Sequence, residues 1–595
     1  MCGIAGIMTI SGEEPSASLL ENLNKALAHR GPDGSTNFII NSVGLAHTRL
    51  AIIDIDGGTQ PFSAKSKITD ENTSLIANGE IYNYIELKLN MDQVDFQTRS
   101  DCEVPLHLYL RYGLEFARYL RGMYAIAIFD PVKDSLILAR DPFGIKPLYY
   151  AETEMGFVFA SEPQALFKAD LVKPKIRNAA RDELLQLRFT VGAKTIYEGV
   201  YRLLPGETIE IHCGRIAKRI LTSSFSQSVP EILTEDAALQ KLDHILFDSM
   251  NIHQRSDVPY GMFLSGGIDS SVLLALMSRL NDTPVQAFTA GFSETVVSDE
   301  RAHAQFLANA VGAKFYDVEF SEDDFWSLLP ACVLAMDDPA ADYAMLPTFK
   351  LAAAARDAGL KVILTGEGGD ELFGGYGRYR RARRSRFFGG RPMRERGVLD
   401  GIGVLRRNSS QWRKEYSFAE KASKNPERTL LQVAQATDCL DWLPNDLLNK
   451  LDRCLMANGV EGRVPLLDSE LARFAFGLPD NMKVRRQKGK WLLRKWLKKA
   501  LPISKPFSVK RGFTVPVGNW IGNEGHRLGP LVAKQPGIEE ICDKESVQSL
   551  FRATHNGNSK KSQQAAWVLL FYAIWHRCHI EGLKVDSGVF EVLGD

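Results

Sequence analysis

The stretch Tyr260-Gly261-Met262-Phe263-Leu264-Ser265-Gly266-Gly267-Ile268-Asp269-Ser270-Ser271 decides the fold of the larger part of this chain. Its first five residues are mostly apolar and predict a buried strand, and the residues that follow it, up to Leu280, predict a helix. Two glycines after a strand let backbone N–H groups face a ligand, and hydroxyls and a helix N-terminus add affinity for anions. Asp269 would repel a bare phosphate, so we expect a bridging Mg²⁺. The stretch lacks the Walker pattern GxxxxGK[ST], which excludes a P-loop kinase or GTPase.

A second glycine-rich loop, Thr365–Tyr376 (TGEGGDELFGGY), follows the predicted strand Lys361–Leu364. Both loops lie at the carboxyl ends of predicted parallel strands, where ligands bind in open α/β sheets. We predict that Asp370 joins Asp269 on the metal and that Glu367 takes a proton from an attacking amine. The alternatives are a plain strand–turn–helix joint and a solvated acidic loop, but the SGGxDSS string and the five interleaved glycines argue against both.

The chain around these loops alternates between strands and helices, which predicts βαβ units around a parallel sheet. Beyond about residue 405 the pattern is predominantly helical. The predicted elements are strands Val285–Ala290, Lys314–Glu319 and Val362–Thr365, and helices Ser271–Leu280, Asp299–Val311 and Leu346–Ala358.

Residues 1 to about 210 have a different pattern, with short strands separated by turn signals, and predict layered sheets with helices outside. The polar segment 222–235 is the expected connection between the two parts. The predicted strands here are Ser74–Asn78, Met123–Asp130, Ser135–Arg140, Leu148–Ala151 and Phe157–Ser161, and the predicted helices are Leu19–Ala28 and Glu103–Tyr119.

Length and composition bound the class of protein. A chain of 595 residues is too long for one core, so two or more domains are expected. Lys+Arg and Asp+Glu both number 72, which argues against a nucleic-acid or membrane partner. We find no apolar stretch of membrane-spanning length and no signal peptide. The eight cysteines are scattered without a CxxC pair, so we expect a cytoplasmic protein without a structural zinc site or disulfide framework.

Cys2 is preceded only by Met1. Removal of Met1 would give one residue both a thiol and a free α-amine, and an amine that titrates at about pH 7.7–8.0 is able to activate the thiol without a histidine. The residues from Cys2 to Ile7 predict a short buried strand. An ordinary buried cysteine near a terminus is the alternative for Cys2 considered alone.

Taken together, these motifs resemble the glutamine-hydrolysing asparagine synthetase family. The N-terminal half looks like a class II glutamine amidotransferase domain, which implies an αββα sandwich of the N-terminal-nucleophile hydrolase type over residues 2–210. The second half is similar to the ATP-pyrophosphatase (PP-loop) domain of that family, which implies an α/β domain with a helical C-terminal part over residues 235–590. The fold class expected is therefore mixed, α+β followed by α/β.

The resemblance implies a role for each matching residue of the N-terminal half. Cys2 would attack the side-chain amide of glutamine, and the Asn78 amide with the Gly79 backbone N–H would stabilise the oxyanion. Arg49 would pair with the glutamine α-carboxylate, and Asp101 would accept its α-amine. The implied pocket also involves Leu50, Ile52, Glu80 and the HRGPDG stretch 29–34.

In the second half the resemblance implies an ATP site with Mg²⁺ on Asp269 and Asp370. Glu367 matches the base for ammonia attack, and Lys490 would stabilise the leaving pyrophosphate. A solvated face of a basic helix is the alternative for Lys490. The residues assigned to ATP are Leu264, Ser265, Gly266, Gly267, Asp269, Ser270, Ser271, Ala290, Thr365 and Gly366.

The implied activity is ATP-dependent synthesis of asparagine from aspartate, with glutamine as the nitrogen donor. The alternatives are an amidotransferase for another carboxylate, such as a sugar acid of a surface polysaccharide or a natural-product precursor, and a non-catalytic protein on the same fold. A homodimer is expected from the resemblance alone. Gly462 and Gly369 depart from the residues common in the family, and the nine arginines of residues 378–396 match no family pattern. We interpret that stretch as a solvent-facing insertion rather than a nucleic-acid patch.

Overall fold

The computed structural model describes residues 2–65, 71–223, 225, 230–292, 300–384, 387, 390–508, 515–555, 559–585 and 587–594. The first residue of the predicted helix 299–311 and part of the predicted connection 222–235 lie outside these ranges.

The N-terminal half contains two six-stranded antiparallel sheets. Its strands are β1 (Gly3–Thr9), β2 (Gly34–Ile40), β3 (Val43–Arg49), β4 (Phe62–Lys65), β5 (Asn72–Ile81), β6 (Gly122–Asp130), β7 (Ser135–Arg140), β8 (Tyr149–Glu152), β9 (Gly156–Ala160), β10 (Tyr201–Arg202), β11 (Glu207–His212) and β12 (Arg215–Leu221). One sheet has the order β10-β8-β9-β1-β3-β2, and the other has the order β12-β11-β7-β6-β5-β4. The predicted strands of this half are therefore confirmed.

The two sheets share an apolar core because alternate side chains of their strands point between them. Ile4 and Met8 of β1 pack there with Ile76 of β5 and Phe129 of β6. Helices cover the outer faces, so the predicted αββα sandwich is confirmed. The α-helices of this half are α1 (Ala17–Leu27), α2 (Tyr84–Leu89), α3 (Val104–Tyr112), α4 (Pro163–Lys168) and α5 (Asn178–Leu187).

The predicted helix Glu103–Tyr119 is shorter than expected. It ends at Tyr112 because Gly113 adopts φ +58°, a conformation that glycine takes at little cost. Residues Gly113–Tyr119 continue as a 3₁₀ turn.

The second half is built on a parallel sheet of five strands, β13 (Tyr260–Phe263), β14 (Gln286–Phe292), β15 (Lys314–Phe320), β16 (Val362–Leu364) and β17 (Glu461–Arg463). The strand order is β15-β14-β13-β16-β17, so the predicted parallel sheet is confirmed. Strand β17 was not predicted, because three residues carry too little periodicity. Strands β13 and β16 are neighbours, which brings their two glycine-rich loops to the same edge.

Helices pack on this sheet and make up the C-terminal part, as predicted. They are α6 (Glu235–His253), α7 (Ile268–Leu280), α8 (Arg301–Ala310), α9 (Glu322–Ala335), α10 (Met345–Asp357), α11 (Gly369–Phe373), α12 (Gly377–Ala382), α13 (Gln411–Ala422), α14 (Leu430–Thr437), α15 (Leu448–Met456), α16 (Ser469–Gly477), α17 (Asp480–Lys483), α18 (Trp491–Ala500), α19 (Val517–Asn523), α20 (Gly525–Ala533), α21 (Pro536–Glu539), α22 (Lys544–His555), α23 (Lys560–His579) and α24 (Val589–Val592). A π-helical segment, Asp438–Leu447, joins α14 to α15.

Buried ion pairs connect the two halves. Arg30 forms a two-pronged pair with Asp452 of α15, with Nη1 at 2.8 Å and Nη2 at 3.1 Å from the carboxylate oxygens. Arg202 of β10 forms a similar pair with Asp338, at 2.6 Å for both contacts. Because all four side chains are almost completely buried, the charges depend on each other for solvation.

Most described arginines of the arginine-rich stretch face solvent, as predicted: Arg381, Arg383, Arg384, Arg391 and Arg396 are exposed. Arg378 and Arg394 are partly buried against aromatic rings. The Arg378 guanidinium stacks 4.0 Å from the Tyr376 ring and 4.1 Å from the Trp442 ring, and its Nη2 lies 2.6 Å from Asp438 Oδ2. Arg394 also stacks on Trp442, at 5.2 Å. Trp442, the ring shared by Arg378 and Arg394, lies far along the chain, which is why the charge run alone did not reveal these two contacts.

Candidate active sites

Cys2 lies buried at the start of β1, against the edge of the second sheet. Its backbone N donates to Asn78 Oδ1 of β5 at 3.1 Å. Burial raises the pKa of the Cys2 thiol, while the N-terminal charge, the Leu50 backbone N–H and the Arg49 guanidinium act to lower it. The thiol therefore needs a base, and the α-amine of Cys2 itself would be one once Met1 is removed.

Asn78 presents a free donor beside Cys2. Its Nδ2 is buried and has no hydrogen-bond partner among the described residues. A buried amide without a partner is costly, so this N–H₂ group is suited to an oxygen that arrives with a substrate. The neighbouring Gly79 has no room for a side chain, because a Cβ would overlap the carbonyl oxygen of Met123 on β6.

Arg49 ends β3, and Leu50 and Ile52 follow on the segment after it. Arg49 is oriented by its own loop, with Nη1 2.8 Å from Ile55 O and Nη2 2.6 Å from Asp54 O. Ile52 contributes its side chain to the core, and its carbonyl accepts from the Asp257 N–H at 3.0 Å. The structure thus places Arg49 and Leu50 at the site and uses Ile52 to contact the second half.

The two acidic residues predicted for this site have different surroundings. Asp101 Oδ2 accepts from the Ile81 N–H at 2.6 Å, and burial raises the pKa of the Asp101 carboxyl. Glu80 pairs instead with Arg463 of β17, at 3.2 Å, and burial raises its pKa despite that charge. Glu80 therefore links the site to the second half of the chain.

Two residues at this site were missed as individual candidates. Arg30, fully buried, donates through Nε to Cys2 O at 3.3 Å; its only signal was the HRGPDG stretch. His47 is also buried, and burial lowers its pKa to about 3, so the ring is neutral. Nothing in the pattern of β3 distinguishes His47 from a core histidine.

The second site is a cavity of about 420 Å³ at the carboxyl ends of β13, β14 and β16, called here the central cavity. It brings together most of the residues predicted for ATP. Those that line it are Leu264, Ser265, Gly267, Asp269, Ser270, Ala290, Thr365, Gly366, Glu367, Asp370 and Lys490.

Two of the predicted residues lie outside the central cavity. Gly266 lines an adjoining cavity of about 340 Å³ together with Gly267 and Arg494. Ser271 is buried, and its Oγ donates to the carbonyl of Gly267 at 2.7 Å. Ser271 therefore closes the first turn of α7 and shapes the loop from behind.

Lys490 connects the two glycine-rich loops. Its Nζ contacts Asp269 Oδ2 and lies 2.8 Å from Asp370 Oδ1. Burial would lower the pKa of Lys490, but the two carboxylates outweigh it and the pKa is raised. The residue is buried and precedes α18 with φ +56°, so the solvated helix face that the sequence offered as an alternative does not occur here.

The carboxylates approach Lys490 closely because glycines make room for them. A Cβ at Gly369 would overlap Asp269 Oδ1, and a Cβ at Gly375 would overlap Asp370 Oδ1. Gly369, which differs from the residues common in the family, thus lies at a tight contact between the two loops.

The donor set of the central cavity fits Mg²⁺ bound together with phosphate. No group of three or more His, Cys, Asp or Glu side chains in the described ranges is arranged to hold a metal ion. Asp269 and Asp370 nevertheless converge on one cationic centre, and two carboxylates plus phosphate oxygens are a usual ligand set for Mg²⁺. Thr365 Oγ1, on the same wall, is buried and has no hydrogen-bond partner among the described residues.

The sequence gave no indication of Lys450, which also lines the central cavity. It lies on α15 with its side chain only 6% exposed, and its Nζ is 3.0 Å from Asp342 Oδ2. Buried lysines are rare unless paired, but a lysine in a mixed helical stretch looks like any surface residue.

The fold and the two sites define a class: a cysteine site of the N-terminal-nucleophile type joined in one chain to an α/β domain with a PP-loop-like cavity. Comparison with known proteins agrees with this class. The family model "Glutamine amidotransferase domain" matches residues 1–222, and the model "Asparagine synthase" matches residues 241–577.

Full-length relatives are similar over almost the whole chain. "Asparagine synthetase [glutamine-hydrolyzing] 1" of Bacillus subtilis is 32% identical and covers 98% of this chain and 97% of its own length. "Asparagine synthetase [glutamine-hydrolyzing] 2" of the same organism is 30% identical over 85% of this chain and 70% of its own length. "Amidase chyE" of Penicillium rubens is 27% identical over 95% of each chain. The chain belongs to the asparagine synthase family and is an enzyme of the glutamine-dependent amidotransferase type.

One further structural finding concerns membranes. Among the residues that the structure describes, no helix has both the length and the apolar character needed to cross a bilayer.

Proposed function

We propose that the protein hydrolyses glutamine at Cys2 and uses the ammonia to convert aspartate to asparagine, with ATP cleaved to AMP and pyrophosphate. The observation that carries this proposal is the central cavity, which Glu367 lines together with Asp269, Asp370 and Lys490. An acyl adenylate formed there would have a carboxylate base within the same enclosure when ammonia arrives.

The first half-reaction depends on groups around Cys2. The α-amine takes the thiol proton, and the thiolate adds to the side-chain carbonyl of glutamine. Cys2 N donates to Asn78 Oδ1, a contact that would hold the amine in place once Met1 is removed, and the Asn78 Nδ2 and the Gly79 backbone N–H would donate to the oxyanion. The α-ammonium group returns the proton to the leaving nitrogen, so that collapse of the tetrahedral intermediate releases ammonia and leaves a thioester, which water hydrolyses to glutamate. Arg49 and Asp101 would bind the α-carboxylate and the α-amine of glutamine.

In the second half-reaction the loop Ser265–Ser270 and Lys490 would hold the phosphates while the acceptor carboxylate attacks the α-phosphorus. Lys490 would then stabilise the charge on the departing pyrophosphate. Ammonia attacks the acyl carbon, Glu367 takes the proton from the incoming nitrogen, and AMP leaves.

We include Mg²⁺ in this proposal, held by Asp269 and Asp370; when bound, it would neutralise phosphate charge as the α-phosphorus is attacked. Lys490 contacts the same two carboxylates, so it would turn toward the phosphates as the metal binds.

The test is to incubate the protein with glutamine, Mg·ATP and aspartate and to follow pyrophosphate and asparagine. We expect both to form in equal amounts, and only with aspartate present. Cys2→Ala should lose glutamine-dependent synthesis and retain synthesis with added ammonium. Pyrophosphate release without aspartate would reject the aspartate assignment, and loss of both activities in Cys2→Ala would reject two separable sites.

A second function is supported by the amidase relative, which is similar over 95% of this chain. In that case the chain would transfer nitrogen to a different carboxylate. The same assay distinguishes the two functions, because pyrophosphate would then appear with the other acceptor and not with aspartate.

A further inference from the structure

Lys450 is a buried ammonium group on the wall of the central cavity, and the mechanism above does not use it. Its Nζ donates to Asp342 Oδ2 at 3.0 Å, and no other described residue accepts a hydrogen bond from it. An ammonium carries three N–H donors, so two are left for a group that the chain does not supply. Burying the N–H donors of a charged group without hydrogen-bond acceptors is costly in free energy. This cost favours a bound anion at this position.

The central cavity has two separate cationic groups. Lys490 takes Asp269 and Asp370 as its partners, whereas the acidic groups near Lys450 are Asp342, Glu367 and Asp446. The two lysines thus share no charged partner. Lys490 lies between Asp269 and Asp370, whereas Lys450 is close enough to Glu367 for the two charges to interact, which puts Lys450 beside the base proposed for the reaction of the acceptor.

The surroundings of Lys450 suit a carboxylate. Apolar side chains of Pro347, Leu351, Leu447 and Leu451 line the cavity beside it, and a low-polarity wall strengthens a charge pair. Arg188 lies close enough to Asp342 and Asp446 to offset part of their negative charge.

We propose that Lys450, oriented by Asp342, binds a second carboxylate of the acceptor, the one that does not become the amide. The acceptor is then a dicarboxylate, and Lys450 selects it over monocarboxylates of the same length. The inference rests on the proposed function, because it concerns the acceptor of that same reaction.

The test measures acceptor-dependent pyrophosphate release with ammonium as the nitrogen source. Wild type, Lys450→Met and Lys450→Arg are each assayed with aspartate and with β-alanine, which is aspartate without the α-carboxylate. Loss of one charge-assisted hydrogen bond should raise the KM for aspartate in Lys450→Met by about 10- to 100-fold, with little change in kcat or in the KM for ATP. Lys450→Arg should recover part of this loss. Wild type and Lys450→Met should use β-alanine equally poorly.

Two measurements separate binding from folding. The unfolding midpoint and glutamine hydrolysis report whether each variant is folded. The double variant Lys450→Met/Asp342→Asn removes both charges, leaves no unpaired carboxylate, and should show the same rise in KM for aspartate.

An unchanged KM for aspartate in folded Lys450→Met would overturn the inference while leaving the proposed function intact. An equal loss with β-alanine, or a rise in the KM for ATP, would also overturn it, since Lys450 would then contact the reacting carboxylate or the nucleotide. If wild type ignores aspartate, the proposed function fails. The inference then depends on whether the acceptor that is used has a second carboxylate and responds to Lys450→Met.

Discussion

Replacing Arg30 with methionine tests the physical account of how the two halves are joined. The Arg30 side chain is completely buried, with Nη1 2.7 Å from Glu162 Oε1 and 2.8 Å from Asp452 Oδ2, and Nη2 3.1 Å from Asp452 Oδ1. Methionine keeps much of the volume, so the change removes charge and hydrogen bonds with little cavity formation. Asp452 and Glu162 would remain buried with one cation fewer.

The expected loss can be estimated from these contacts. Removing one member of a buried pair costs about 3–5 kcal/mol, because the other charge stays desolvated. Asp452 retains Arg453 Nη1 at 3.5 Å, so we expect the lower end, about 3 kcal/mol. In the native chain burial would raise the pKa of Asp452, and the Arg30 guanidinium is the largest influence that lowers it.

The assay is urea unfolding followed by tryptophan fluorescence and circular dichroism. Because a two-domain chain need not unfold in one step, the first transition is compared between variants. The matched control is Arg118→Met, which removes a pair with Glu115 in which the side chains are 60% and 43% exposed. An exposed pair contributes about 0–1 kcal/mol. If Arg30→Met costs no more than Arg118→Met, the reasoning about buried charge at this contact is wrong.

Three further changes test the sites and the stability. Asn78→Ala should lower kcat for glutamine hydrolysis by about 10²–10³-fold with a small effect on KM, as measured by glutamate release; equal activity would remove Asn78 from the oxyanion site. Gly369→Ala adds a Cβ that overlaps Asp269 Oδ1, so pyrophosphate formation should fall strongly, whereas Gly477→Ala, with open space around the new Cβ, should leave it unchanged. Glu103 is buried, which acts to raise its pKa, but hydrogen bonds from His107, Thr98 and Gln97 outweigh burial and lower the pKa to about 2. A lowered folded-state pKa stabilises the protein above about pH 4.5, and this stabilisation is lost as the pH falls toward 2. Glu103→Gln should therefore have a lower free energy of unfolding than wild type at pH 6, and the difference between the two should be smaller at pH 3. A difference that stays constant with pH would contradict this prediction.

Local sequence patterns were sufficient for most of the architecture. Short strand-like runs bounded by turn signals predicted β6 and β7 within a residue, and the strand–glycine–helix order predicted the loop after β13, because these signals depend on neighbours along the chain. The same patterns did not reveal β17, whose three residues form a strand only because β16 is there to pair with them.

The sequence predicted those site residues that belong to short motifs. The glycine-rich loops place Asp269, Asp370 and Glu367 in one cavity, as expected from neighbouring parallel strands. Lys490 was assigned only by resemblance. Its surroundings are set by two carboxylates, those of Asp269 and Asp370, and Asp269 is 221 residues away along the chain.

The sequence by itself determined the two-part organisation, the position of Cys2 at the start of a buried strand and the two glycine-rich loops, because strand and turn signals and motif spacing are properties of consecutive residues. Only the tertiary structure decided which buried charges meet: Arg30 with Asp452, Glu80 with Arg463, and Lys450 with Asp342. A charged residue looks the same in the sequence whether it is solvated or buried. Its energy depends on which distant side chains surround it once water is removed.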